Sequence, residues 1–260
     1  METQDVAGCL FDLPGRTIHV WAVRTDGPSA VAERFEPLLG ADEKKQAARF
    51  RFDHLRCSFI IARGVLRTLL ANYLNISPIN IQFKYGARKK PALPPPACLD
   101  FNMSHSGGLA VFAFTVGCEV GVDVERIRPL QDAQDIADRF FCSEEAAELM
   151  SLSADQRERG FYLCWTRKEA YIKAIGDGLY APLDGFRVTL HPRQPARFMH
   201  IAHDTNAAEA WTLHDLQLAP NYAAALAYRD TERPLAVSPI MDSAELLKLS
   251  ESGLSTPRQG

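Results

Sequence analysis

Two strand-like runs at the centre of the chain set its architecture more than any other stretch. Leu109–Val116 is a continuous apolar run, the pattern of a buried strand. Gly117 and Cys118 offer a turn, and Val120–Arg126 then alternates. Strand period two puts Val120, Val122 and Val124 on one face and Gly121, Asp123 and Glu125 on the other. Burying two carboxylates that point the same way is costly unless a cation neutralises them. A hard cation with oxygen ligands, Mg²⁺ above all, suits such a pair. The competing reading is an edge strand with a solvated acidic face.

The rest of the chain arranges itself around these strands. Residues 42–74 read as helix, with Leu55, Phe59, Ala62, Leu66, Leu69 and Tyr73 in one apolar stripe and Arg56, Arg63 and Arg67 beside it. Residues 85–100 carry Pro91, Pro94, Pro95 and Pro96 and read as loop. Helix returns from about 132 and again over 156–175, where Gly176 and Gly178 stop it. Strands are expected over 186–190, 211–217 and Tyr222–Tyr228; beyond Arg229 the chain turns polar, and 250–260 reads as disordered. Glu33-Arg34-Phe35, leading to Ala62-Arg63, is echoed by Asp138-Arg139-Phe140, leading to Thr166-Arg167, as two related halves would produce.

Composition narrows the class. The 260 residues carry 29 Lys plus Arg against 32 Asp plus Glu, a net charge of −3, with 47% hydrophobic and 23% charged residues. Such a chain is too apolar to be disordered throughout and too balanced for a general nucleic-acid binder. No run approaches the ~18 apolar residues of a membrane span. The first ten residues, with Glu2 and Asp5, lack a secretory pattern. The six cysteines are scattered with no C-x-x-C, so free thiols in a reducing cytoplasm are expected. His200, His203 and His214 have no cysteine pair beside them and read as surface histidines rather than a zinc site.

Three further groups of residues could carry chemistry. Trp165, Glu169 and Lys173 share a helix face at four-residue spacing, either as a surface Glu–Lys pair or as a third carboxylate with a phosphate-holding lysine. Asp100-Phe101-Asn102-Met103-Ser104-His105-Ser106-Gly107-Gly108 brings a hydroxyl and an imidazole to glycines that let a ligand approach. Adjacent side chains of an extended segment point to opposite faces, so Ser104 and His105 are poorly placed as nucleophile and base and better placed as donors to a phosphate. Arg88, Lys89 and Lys90, before Pro91, would attract an anion unless they form a solvated loop.

In order and spacing these groups resemble the surfactin-type 4′-phosphopantetheinyl transferases. The matching motifs are Gly86…Lys90-Pro91, Phe101-Asn102-Met103-Ser104-His105-Ser106, Gly121-Val122-Asp123-Val124-Glu125, and Trp165 to Lys173 followed by Gly176-Asp177-Gly178-Leu179. The resemblance implies an α+β fold: a pseudo-dimer of two similar halves, each a small antiparallel sheet on a long helix, over 1–117 and 118–231, with a partly disordered tail over 232–260. It implies transfer of the phosphopantetheine arm of coenzyme A to a serine of an apo acyl or peptidyl carrier protein, with adenosine 3′,5′-bisphosphate as the other product. Asp123, Glu125 and Glu169 would hold Mg²⁺, or Mn²⁺ in its place. Lys173 would hold the phosphates, and Glu169, directly or through a metal-bound water, or else Glu145, would serve as base. Ser104 and His105 would contact the 3′-phosphate side of coenzyme A. Pro91 with Lys90, or Lys89 in its stead, would border the adenine, and Arg56 and Arg63 would add phosphate contacts. A cytoplasmic monomer with no nucleic-acid or membrane partner is expected. The alternatives are a non-catalytic coenzyme A binder that recruits carrier proteins and a different Mg²⁺ enzyme acting on a nucleotide diphosphate.

Overall fold

A computed structural model describes residues 13, 15–86, 90–176, 182–201 and 207–253. The expectations for Arg88, Lys89 and the Gly178-Leu179 end of the last motif lie outside the described residues.

The chain runs twice through one order of elements. The first pass is β1 (Ile18–Arg24), α1 (Ser29–Phe35), α2 (Ala41–Ala47), α3 (Asp53–Leu74), the hairpin β2 (Lys84–Tyr85) and β3 (Pro91–Ala92), then β4 (Leu99–Ser106) and β5 (Leu109–Val116). The second is β6 (Val120–Arg126), α4 (Ala133–Phe140), α5 (Ser143–Ser151), α6 (Ala154–Ile175), the hairpin β7 (Phe186–Val188) and β8 (Phe198–Ile201), α7 (Ala207–Ala210), β9 (Thr212–Asp215) and β10 (Tyr222–Tyr228). Strand order repeats too: β1-β5-β4 in one sheet and β6-β10-β9 in the other. The Arg-Phe echoes close α1 and α4, and both long helices have 22 residues.

Three apolar layers hold this arrangement. Ile18, Val20, Ala22, Leu109, Val111 and Ala113 of the first sheet meet Val120, Val122, Val124, Ala224, Leu226 and Tyr228 of the second. The opposite faces of the strands carry Trp21, Val23, Phe112 and Phe114 against α3. In the second half, Ala223, Ala225 and Ala227 sit in the layer with α6. Strands β5 and β10 are therefore covered on both faces, which is why they are almost wholly apolar, Thr115 being the polar exception in β5.

Two expectations are corrected. The predicted helix over 42–74 is two helices: α2 stops after Ala47, Phe50 turns in to pack on Phe59 with ring centroids 5.2 Å apart, and Phe52 is extended before α3 begins. The expected tail is structured through 253. Leu235–Asp242 is β11, which pairs in parallel with β1 and extends the first sheet to β11-β1-β5-β4. Ser243–Gly253 is α8, which buries Leu246 and Leu247 in the α3 layer. This segment returns to the first half rather than trailing from the second, because β1 has a free edge and α3 an uncovered apolar strip. Residues 254–260 are outside the described residues.

Among the described residues, α3 alone is long and apolar enough by composition to cross a membrane. Most of it is buried against the first sheet.

Candidate active site

Gly121 decides how closely α6 approaches β6. A Cβ there would run into the Ala170 carbonyl and the Ala174 amide of α6. With glycine, the helix lies directly on the strand. Residues 123 and 125 share the helix-facing side with Gly121, and Lys173 comes down onto Asp123. The Lys173 ammonium is 2.6 Å from Asp123 Oδ1. Asp123 is almost wholly buried.

The three carboxylates are near enough to feel one another. Burial, and then the charges of Asp123 and Glu125, push the Glu169 carboxyl up to about 7, although Lys173 opposes the shift. Burial is also the main cause raising Glu125, followed by opposing effects of Ser106 and Asp123. Asp123 Oδ2 and Glu169 Oε1 are buried with no hydrogen-bond partner among the described residues. Two orphaned carboxylate oxygens in a site this acidic fit a hard cation. Among the described residues no three His, Cys, Asp or Glu side chains form a group that could hold a metal as they stand; the Lys173 ammonium supplies the positive charge beside Asp123.

Strand β4 reaches this group from the first half, and its two faces do different work. Asn102 Oδ1 accepts the Val122 amide at 3.0 Å. Ser104 Oγ donates to Asp123 Oδ1 at 2.8 Å and accepts Lys173 Nζ at 2.9 Å. Ser106 Oγ donates to Glu125 Oε2 at 2.6 Å. These residues alternate with Phe101, Met103 and His105, which face the α3 side.

On that side Met103 and His105 line a cleft of about 990 Å³ with Arg63, Lys45, Arg49 and Pro91. Arg63 is ion-paired with Glu43, and its guanidinium lies 5.0 Å from the centre of the Phe83 ring. His105 is exposed to the cleft. Desolvation, and then Lys173 and Arg63, lower its pKa. The cleft is basic and the β6–α6 group acidic, and His105 and Ser104, neighbours on β4, turn one to each.

Comparisons with known proteins bear on this arrangement. Residues 119–227 match the 4′-phosphopantetheinyl transferase superfamily, and residues 31–116 match the family described as 4′-phosphopantetheinyl transferase, N-terminal. The 4′-phosphopantetheinyl transferase HetI of Nostoc sp. is 37% identical over 213 residues, spanning 81% of this chain and 86% of that protein. This chain belongs to the 4′-phosphopantetheinyl transferase superfamily. The transferase Sfp of Bacillus subtilis is 30% identical over 159 residues, 61% of this chain and 70% of that protein. The solved Thermotoga maritima holo-[acyl-carrier-protein] synthase overlays on 44% of this chain and 64% of its own, with a TM-score of 0.35 and 18% identity.

Within this phosphopantetheinyl transferase, Asp123, Glu125, Glu169 and Lys173 come together, and Arg63, Pro91 and His105 reach the cleft. Other expected site residues do not. Glu145 is fully buried; it pairs with Lys168 at 2.7 Å and accepts the Cys142 and Val188 amides. Its oxygens are occupied in holding α5 to α6 and β7. Lys90 does not border the cleft: its ammonium donates to Val120 O at 3.2 Å and Ala174 O at 2.9 Å, tying the first half to the end of α6. Ser104 is committed to Asp123 and Lys173 rather than to the cleft. Arg56 is partly exposed and lies 3.6 Å from Asp53 at the start of α3.

Asn102 and Ser106, named above only as members of the 100–108 group, and Glu43 make contacts to which the motifs above assign no role. The period-two argument that grouped Asp123 with Glu125 applies equally to Asn102, Ser104 and Ser106. Glu43 is the third helical residue after Gly40 and accepts its amide, a capping pattern visible in sequence.

Proposed function

We propose that this transferase moves the 4′-phosphopantetheine arm of coenzyme A onto a serine hydroxyl of an apo acyl or peptidyl carrier protein and releases adenosine 3′,5′-bisphosphate. The observation that carries the reading is the pair of buried oxygens of Asp123 and Glu169, unpartnered among the described residues, beside Lys173 and across β4 from the basic cleft. Asp123, Glu125 and Glu169 would hold Mg²⁺ or Mn²⁺, which when bound offsets diphosphate charge and polarises the phosphorus under attack.

The chain's own residues account for the other requirements. Lys45, Arg49, Arg63 and His105 receive the anionic nucleotide end in the cleft, with Pro91 along its wall. Lys173 stabilises charge gathering on the leaving bisphosphate. Glu169 takes the proton from the carrier serine as its oxygen attacks, the role of a general base held beside the reacting phosphorus. The enzyme acts as a monomer in the cytoplasm. One chain supplies both walls of the site, and Cys57, Cys98, Cys118, Cys142 and Cys164 are free thiols, which supports a reducing compartment.

The test is a panel of apo carrier proteins from fatty-acid, polyketide and nonribosomal-peptide systems, mixed with coenzyme A and Mg²⁺ and read by intact mass. A phosphopantetheine mass gain on at least one carrier is expected. No gain on any class would reject the assignment.

A further inference from the structure

Ser106 sits where the two halves meet. Its Oγ accepts the Arg126 amide at 3.2 Å and donates to Glu125 Oε2 at 2.6 Å. With a backbone N–H already directed at the oxygen, the hydroxyl hydrogen is left for the carboxylate. The next residue is held as well: Tyr222 of β10 donates its hydroxyl to the Gly107 carbonyl at 2.6 Å. A Cβ at Gly107 would clash with the Arg126 side chain, so the β4–β5 turn lies tightly on the end of β6. The serine is therefore locked from both sides. Glu125's second oxygen takes no hydrogen bond among the described residues.

We propose that Ser106 is a positioning residue for the cation site: its hydroxyl fixes the Glu125 carboxylate beside Asp123 and leaves one oxygen uncommitted for the metal. The inference rests on the metal assignment made above. A carboxylate on a three-torsion side chain loses rotamer freedom when it binds a cation, and a donor that orders it beforehand lowers that cost. Ser104 acts on Asp123 from the same strand face, but it also bonds to Lys173. Ser106 has no such link, so its loss separates metal positioning from phosphate contact.

The test is stabilisation of the full chain against heat, with Mg²⁺ titrated at a fixed coenzyme A concentration and coenzyme A also titrated without metal. Ser106→Ala should raise the Mg²⁺ midpoint by roughly 10–100-fold and leave the metal-free coenzyme A response at the wild-type value. Ser106→Thr, which keeps the hydroxyl, should restore the midpoint to within a few-fold. If the alanine variant does not fold, Ser106→Cys, near in size but a poor donor, should show the same loss. A wild-type Mg²⁺ midpoint in the alanine or cysteine variant overturns the proposal, even if either melts earlier. Wild-type protein that responds to coenzyme A but to neither Mg²⁺ nor Mn²⁺ overturns the metal assignment, and this proposal with it.

Discussion

Strands β1 and β6 hold matching places, each beside the central strand of its sheet and under a 22-residue helix. Their inward faces are alike: Ile18, Val20 and Ala22 in one, Val120, Val122 and Val124 in the other. Their helix-facing sides are opposites. Strand β1 presents Trp21 and Val23 to the α3 layer, whereas β6 presents Asp123 and Glu125 beside α6. The surroundings explain the contrast. β11 pairs along the outer edge of β1, but β6 is the edge strand of its own sheet, and its unpaired flank is met by polar side chains of β4. The same scaffold makes an apolar core where the edge is paired by another strand and a charged site where polar side chains meet it.

A second matched pair shows what does not diverge. Glu43 and Glu145 are each the third residue of a short helix, each accepts the amide of the preceding cap residue, and each is buried against a cation on the long helix. The partners are Arg63 and Arg67 in the first half and Lys168 in the second. If this correspondence is right, Glu145→Gln and Glu43→Gln should each cost about 3–5 kcal/mol in denaturant unfolding, because a buried cation loses its partner. Glu145→Gln protein kept folded in the cold should still show a Mg²⁺-dependent rise in melting temperature. Loss of that rise with unchanged stability would return Glu145 to the active site.

The divergent pair should respond the other way. Asp123→Ala should lower carrier modification by about 10²–10³-fold, on the scale of losing one charge-stabilising group, and abolish the Mg²⁺ response. Normal turnover would show that the acidic face of β6 is no more functional than Trp21 and Val23. Gly121→Ala should destabilise the chain by about 1–3 kcal/mol through overpacking. It should also impair turnover more than that loss explains, since α6 would lift Glu169 and Lys173 from β6. Equal small losses in both would mean the helix absorbs the methyl.

The smallest effect concerns pH. With metal removed, Glu169 binds its proton more tightly folded than unfolded, so folding is favoured at low pH. Stability should fall as pH rises from about 4.5 through about 7. Glu169→Gln should flatten that part of the profile, and an unchanged slope would place its origin elsewhere.

What the sequence discloses follows the range of the forces involved. Asp123 with Glu125, and Glu169 with Lys173, are legible because strand and helix periods group them locally. The apolar runs of β5 and β10 are legible because burial on both faces leaves one unmistakable pattern. The contacts of Glu145, Lys90 and Ser104 are not legible, because their partners, Lys168 and Val188, Ala174, and Asp123, lie far along the chain. Strand β1 is hard to read because His19 and Arg24 cut its apolar run to the four residues Val20, Trp21, Ala22 and Val23. Strand β11 is hard to read because its exposed side and Pro239 imitate a loop.

The return of β11 to β1 also fixes an order of events. Ile18 pairs with Leu235, so the first sheet cannot be finished until nearly the whole chain exists. The second sheet needs nothing beyond Tyr228. On the ribosome, the part begun first should be the part completed last, with the edge of β1 open to other strands until the C-terminal segment emerges. A chain cut before Leu235 should keep that edge bare and be lost to aggregation before it is lost to chemistry.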